Sequence, residues 1–225
     1  MAKFKINYLR PNVVGVIHDK AGEKAAIKEK RSVDILEVRA DNHIPTDWAG
    51  LSCKPIILTV RDAEEGGANK RLSPEKREAI YLDFLENAAA VDVEIRNAAQ
   101  FRNLIVEAHC VKRSVIFSYH DFQSVPTIKL LRELTKRSQG EGAMCLKIAA
   151  MTNSLAELTQ LLNCVEILLD AGQPFALMGM GRFAATSRVL FAQCGSCLNY
   201  GWLGSPQVAG QPSAKFLREL LLKLL

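Results

Sequence analysis

Short apolar runs alternate with segments of helical period along the whole chain. The runs are NVVGVI (12–17), VDILEV (33–38), PIILTV (55–60), VDVEI (91–95), SVIFSY (114–119), MCLKIA (144–149), PFALMG (174–179) and CLNYGW (197–202). Their length and β-branched content predict buried strands. Amphipathic stretches separate them at 22–31, 74–90, 96–111, 124–138, 154–171 and 184–193, with a last one at 212–225. The second crossover, around 42–52, has room for a single turn. SPEKREAIYLDFL (73–85) carries a helix start, with Ser73 as N-cap, Pro74 at the first helical position and acids in the first turns. Strand–helix alternation predicts parallel strands joined by right-handed crossovers. Eight such units in 225 residues predict one α/β domain over 1–225, a (β/α)8 TIM barrel. An open doubly wound sheet is the alternative, but no GxGxxG follows the first strand.

Composition and charge narrow the function more than the fold. Hydrophobic residues make up 48% of the chain and charged residues 24%, ordinary values for a soluble globular protein. The net charge is +5. The lysines and arginines are interspersed with acids in IKEKRSVD, SPEKREA and LRELTKRS, so they read as solvated helix faces. A basic stripe with interleaved aromatics is missing, and nucleic-acid binding is not expected. The positive surplus suits an anionic small-molecule substrate. No run approaches the ~18–20 apolar residues of a membrane span, and MAKFKINYLRPN lacks a signal-peptide core, so a cytoplasmic protein with no membrane partner is expected. The six cysteines lie mostly in apolar runs, as reduced buried thiols do. CGSC (194–197) has neither a second pair nor a nearby histidine, and no metal site is expected there.

In a (β/α)8 barrel the chemistry sits at the C-terminal ends of strands, and the period-2 alternation tells which side chains face inward. In MCLKIA, Cys145 and Lys147 share the inner face. A lysine in an apolar interior loses stability as an ammonium, and its neutral amine is what imine formation needs. A lysine reaching from a strand end to solvent is the other reading, and this segment alone does not choose. In SVIFSYHDF, Val115, Phe117 and Tyr119 face outward, while Ser118 and His120 face inward. An inward histidine is either a satisfied core residue or, beside Lys147, the proton carrier an imine reaction requires. Asp121 points away and reads as a strand-end anchor. Glu37 with Arg39, and Thr59 with Arg61, share inner faces, while Glu64 and Glu65 follow on the loop. The arginines are either halves of structural ion pairs or a clamp for a carboxylate or polyol. Asp92 and Glu94 also alternate inward, as ion-pair partners for Lys147 or the arginines.

Together, DILEVRAD, TVRDAEEGG, SYHDF, CLKIA and SRVLFAQCGSCLNYG resemble the type I 3-dehydroquinate dehydratases, in the family's order from about residue 12 to the C-terminus. The resemblance implies dehydration of 3-dehydroquinate to 3-dehydroshikimate in aromatic amino acid biosynthesis, without a cofactor, by a stand-alone homodimeric enzyme. It implies that Lys147 forms the imine, His120 carries protons and Glu65 orients that histidine. It further implies substrate contacts from Glu37, Arg39 and Arg61, a carboxylate grip from Arg188 in TSR, and a lid contact from Gln211 in AGQ. Counting without gaps, the family's lid serine falls on Gln207, with Ser205 nearby. The N-terminal segment is short, so an abbreviated basal hairpin is expected. Two rival readings remain. One is an aldolase- or transaldolase-like imine enzyme, with LMGMGR (177–182) as a phosphate site; the other is a catalytically silent barrel kept for binding.

Overall fold

The computed structural model describes residues 5–206 and 210–224. Eight parallel strands pair in the order β7-β6-β5-β4-β3-β2-β1-β8. They are β1 (Asn12–Ile17), β2 (Ile35–Arg39), β3 (Ile56–Thr59), β4 (Ala90–Glu94), β5 (Ser114–Asp121), β6 (Cys145–Met151), β7 (Phe175–Met180) and β8 (Leu198–Trp202). The barrel is nearly closed: between β7 and β8 the backbone is joined by Cys197 N–H donating to the Phe175 carbonyl at 2.8 Å.

Eight helices follow the strands: α1 (Lys20–Lys28), α2 (Trp48–Leu51), α3 (Pro74–Phe84), α4 (Arg102–Cys110), α5 (Ile128–Gly140), α6 (Leu155–Asp170), α7 (Ala184–Gln193) and α8 (Ala214–Leu224). The expected single turn in the second crossover is α2. Local chemistry sets the starts. Ser73 caps α3 with Pro74 in its first turn, and Ser154 with Glu157 forms a complete capping box on α6. Several expected helices are shorter than their amphipathic stretches, because 3₁₀ turns at 30–32, 85–87 and 95–97 take up their ends.

Strand alternation divides the core in two. Outward side chains such as Phe117, Leu146, Ile148 and Leu177 pack with Tyr81, Phe101, Leu131, Leu161 and Phe191 of the helices. Inward side chains form a separate apolar floor from Val14, Ile35, Ile57, Ala90, Ile116, Cys145, Ala176 and Leu198. Ile6 and Tyr8, the latter 8% exposed, pack against this floor from below, and no strand precedes β1 among the described residues. The base is thus covered by two side chains of an irregular segment. Two residues above the floor, Glu37, Thr59, Asp92, Ser118 and Lys147 make the inward positions of β2 to β6 polar, and β5 and β6 carry Ser118 opposite Lys147 and His120 opposite Ala149.

Candidate active site

Lys147, in the middle of β6, is buried, and its ammonium donates to Asp92 Oδ2 at 2.8 Å and Glu37 Oε1 at 3.2 Å. The Tyr200 ring covers it at 4.0 Å from the centroid. The expected apolar surroundings are therefore corrected. The lysine lies on the inner face as the alternation requires, but between two carboxylates. Burial pushes the Asp92 carboxyl up, yet Arg61 and Lys147 outweigh it and hold it well below the usual carboxylate range.

His120 falls inside β5, since the strand runs two residues past the expected end at 119. Its backbone N–H and its Nδ1 both meet Glu65 Oε2, at 3.0 and 2.9 Å. Burial, then Arg61 and Lys147, hold the imidazole well below its ordinary pKa, so it is neutral near pH 7. With Glu65 ionised, Nδ1–H is the donor, and the Nε2 lone pair is left to act as a base. Glu65 ends a 3₁₀ turn (Ala63–Glu65) after β3 and is itself buried. Burial raises its carboxyl to about 7 against the opposing pull of Arg61 and Arg96. Asp121 faces elsewhere: it accepts from the backbone of Gln123 and Ser124 and from the Tyr119 and Ser124 hydroxyls, tying down the loop after β5.

The arginines divide by task. Arg61 is buried and commits its guanidinium to Asp92, Glu94 and Ser118, so it organises the polar layer rather than standing free as a clamp. Arg39 pairs side-on with Asp41 through two 2.9 Å bonds and also donates to the Gly66 carbonyl. Arg188 reaches inward from α7, with Nε on the Tyr200 carbonyl at 2.9 Å and Nη1 on the carbonyls of Gly179 and Ala184. Nη2 has no partner among the described residues, and burial lowers the group to about 10. Gly179 itself packs tightly: a Cβ there would lie 2.3 Å from Thr152 Oγ1 and 2.9 Å from Ser187 Oγ.

Glu37, Arg39, Arg61, Glu65, His120, Lys147, Arg188 and Gln211 all line one cavity at the C-terminal mouth of the barrel, with Phe122, Met178, Met180 and Tyr200 as apolar walls. Gln211 is held through its carbonyl by Trp202 Nε1 at 3.0 Å, and its buried Oε1 has no partner among the described residues. Gln207 lies outside the described residues. Ser205, at the near end of the same loop, donates to Asp19 Oδ2 at 3.0 Å and sits 3.3 Å from His18 Nε2.

Several site residues carry no recognisable sequence signal. Arg77 stands in SPEKREA, read as a solvated face, but it is buried. It bonds the Val60 carbonyl, Asp62 and Glu94, and lies over the Phe101 ring. Arg96 pairs with Glu65 and Glu64. Asp41, by contrast, continues the alternation of Glu37 and Arg39 by one step, so the sequence does carry its signal. The two CGSC cysteines face opposite layers, Cys197 inside the barrel and Cys194 against the outer cluster, which removes a CxxC site.

The family model described as type I 3-dehydroquinase matches residues 13–224. The 3-dehydroquinate dehydratase of Methanothrix thermoacetophila is 31% identical, over 96% of this chain and 95% of its own length. Among solved structures, the type I 3-dehydroquinate dehydratase of Clostridium difficile, described with covalent modified comenic acid, superposes with a TM-score of 0.82 at 26% identity, covering 96% of this chain and 92% of that one. The 3-dehydroquinate dehydratase of Enterococcus faecalis gives 0.80 at 25% identity, covering 99% and 98%.

Proposed function

The chain belongs to the type I 3-dehydroquinase family and catalyses the dehydration of 3-dehydroquinate, and we propose that the reaction runs through an imine on Lys147. The observation that carries this reading is a buried lysine opening on the same cavity as a neutral histidine held by a glutamate. His120 is the proton carrier and Glu65 orients it.

The Lys147 amine adds to the C3 ketone and, with loss of water, forms the iminium. His120, neutral and open to the same cavity, takes the lysine proton and returns it to the hydroxyl of the adduct, which leaves as water and restores the neutral ring. The iminium then draws the electrons of the C2–H bond as His120 removes that proton, which lets a base as weak as imidazole suffice. The resulting enamine expels the C1 hydroxyl, which leaves as water with the proton His120 returns. Hydrolysis of the conjugated imine releases 3-dehydroshikimate and the free amine. Arg188, with a terminal nitrogen that no described residue uses, grips the substrate carboxylate. Glu37, Arg39 and Gln211 contact its hydroxyls, Arg61 fixes the carboxylates around them, and Gln207 is assigned to the loop above. The aldolase-like alternative loses support at LMGMGR, because the Gly179 N–H donates to Ser187 Oγ at 2.9 Å instead of facing a phosphate.

A homodimer fits the exposed leucines of α6, Leu155, Leu162 and Leu169, which recur every two turns along one helix face. Light scattering that returns the mass of one chain would count against it. Six free cysteines suit the reducing cytoplasm. No helix among the described residues is long and apolar enough to cross a membrane. Purified protein given 3-dehydroquinate is expected to develop enone absorbance, and the Lys147→Ala variant to develop none. Equal rates in the two would defeat the reading.

A further inference from the structure

We propose that Arg96 is a positioning residue for the proton transfers: its ion pair with the Glu65 oxygen that His120 does not use keeps that carboxylate ionised, and so keeps His120 in the tautomer that accepts a proton. The inference rests on the roles given above to His120 and Glu65.

The two oxygens of Glu65 are divided between partners. Oε2 takes the backbone N–H and Nδ1 of His120, at 3.0 and 2.9 Å. Oε1 takes Nε of Arg96 at 3.1 Å. The neighbouring charges are committed elsewhere. Arg61 is bound by Asp92 and Glu94, and Arg77 by Asp62 and Glu94. On the His120 side, Lys147 is held by Asp92 and Glu37, and Arg39 by Asp41. Among the described residues, Arg96 is therefore the one arginine or lysine within ion-pair distance of Glu65. It reaches there from the 3₁₀ turn directly after β4, and its other bonds go to Glu64 at 2.7 Å and Asp62 at 3.4 Å. Asp62, Glu64 and Glu65 come from one short turn, and Arg96, together with Arg77 on Asp62, offsets their mutual repulsion.

The consequence follows from hydrogen-bond direction. An ionised Glu65 accepts from Nδ1–H and leaves Nε2 bare. A Glu65 protonated on Oε2 donates to Nδ1, which places the ring hydrogen on Nε2, where no lone pair remains to take the substrate proton. With Arg61 and Arg96 both drawing it down against burial and Glu94, Glu65 still stands at the edge of protonation near neutral pH, so losing the cation in ion-pair contact with it shifts it toward the protonated form. Arg96 stands at the surface with its side chain 38% exposed, and replacing it removes no core packing.

The test is the pH dependence of kcat/KM for the wild type, Arg96→Lys and Arg96→Met. Removing the cation raises the pH at which Glu65 ionises, so the acid-side midpoint should rise by about one unit or more in Arg96→Met. It should rise by less in Arg96→Lys, a point charge without the fork that spans Glu65 and Glu64. Activity well above the new midpoint should approach that of the wild type. Coincident midpoints, or a loss of rate equal at every pH, overturn the proposal. Borohydride trapping of 3-dehydroquinate on Lys147 is run beside it. Trapping with unmoved midpoints defeats the role of Arg96 alone, whereas no trapping in the wild type defeats the reading beneath it.

Discussion

His120 owes its chemistry to what stands on each side of its ring. Glu65 fixes Nδ1 and the backbone N–H together, and the neutral ring presents its other nitrogen as a base. His120→Ala is expected to lower kcat by about 10²- to 10⁴-fold while imine still forms on Lys147, since the amine is held independently by Asp92 and Glu37. Stopped-assay kinetics with mass spectrometry of trapped protein measures both halves, and an unchanged kcat would remove His120 from the reaction. At this scale the sequence was informative where a side chain's direction follows from strand parity, as for Lys147, Ser118 and His120. It was silent on Arg77 and Arg96. Both stand among charges on or beside helical segments, where nothing local separates a solvated arginine from one folded back onto a carboxylate of another strand.

Among the elements, the strands place the chemistry and the loops adjust it. Strand parity carries over to the structure because one face meets helices and the other meets the barrel interior, so a slip of one residue would exchange Lys147 for Leu146 or Ile148. Element ends were less legible. β5 continues through His120 and Asp121 because β6 supplies partners in Ala149 and Ala150, information absent from the local pattern. The loop after β8 is pinned at both ends. Gly204, at φ +80°, lies so close to Gly22 that a Cβ would fall 2.6 Å from the Gly22 nitrogen, and Ser205 then reaches Asp19 and His18. At the far end, Trp202 holds the carbonyl of Gln211. Ser205→Ala releases one such tether. It is expected to raise KM roughly five-fold, the equivalent of one hydrogen bond, with kcat nearly unchanged. Steady-state kinetics decides it, and a fall in kcat at constant KM would show that Ser205 serves the chemistry instead.

For the molecule as a whole, one arrangement reconciles a stable fold with a crowd of buried charges. The lower barrel is filled by an apolar floor and capped from beneath by Ile6 and Tyr8, while the upper barrel carries Glu37, Asp92, Glu94, Arg61 and Lys147 in mutual contact. Each of these five charges has a partner of opposite sign, which is the condition for keeping it there. The eightfold alternation made the barrel legible from the chain, and the family motifs gave the site its likeness. The division of labour among the arginines was not legible, because it depends on which carboxylate each guanidinium meets across the barrel. The central claim is that Lys147 is the covalent attachment point, and chemical trapping addresses it most directly. Protein incubated with 3-dehydroquinate and borohydride, then digested and weighed by mass spectrometry, should carry the reduced substrate on the peptide containing Lys147, with or without EDTA. The same treatment should leave Lys147→Ala unmodified. Turnover to the enone with no adduct at Lys147, or an adduct confined to another lysine, would contradict the account.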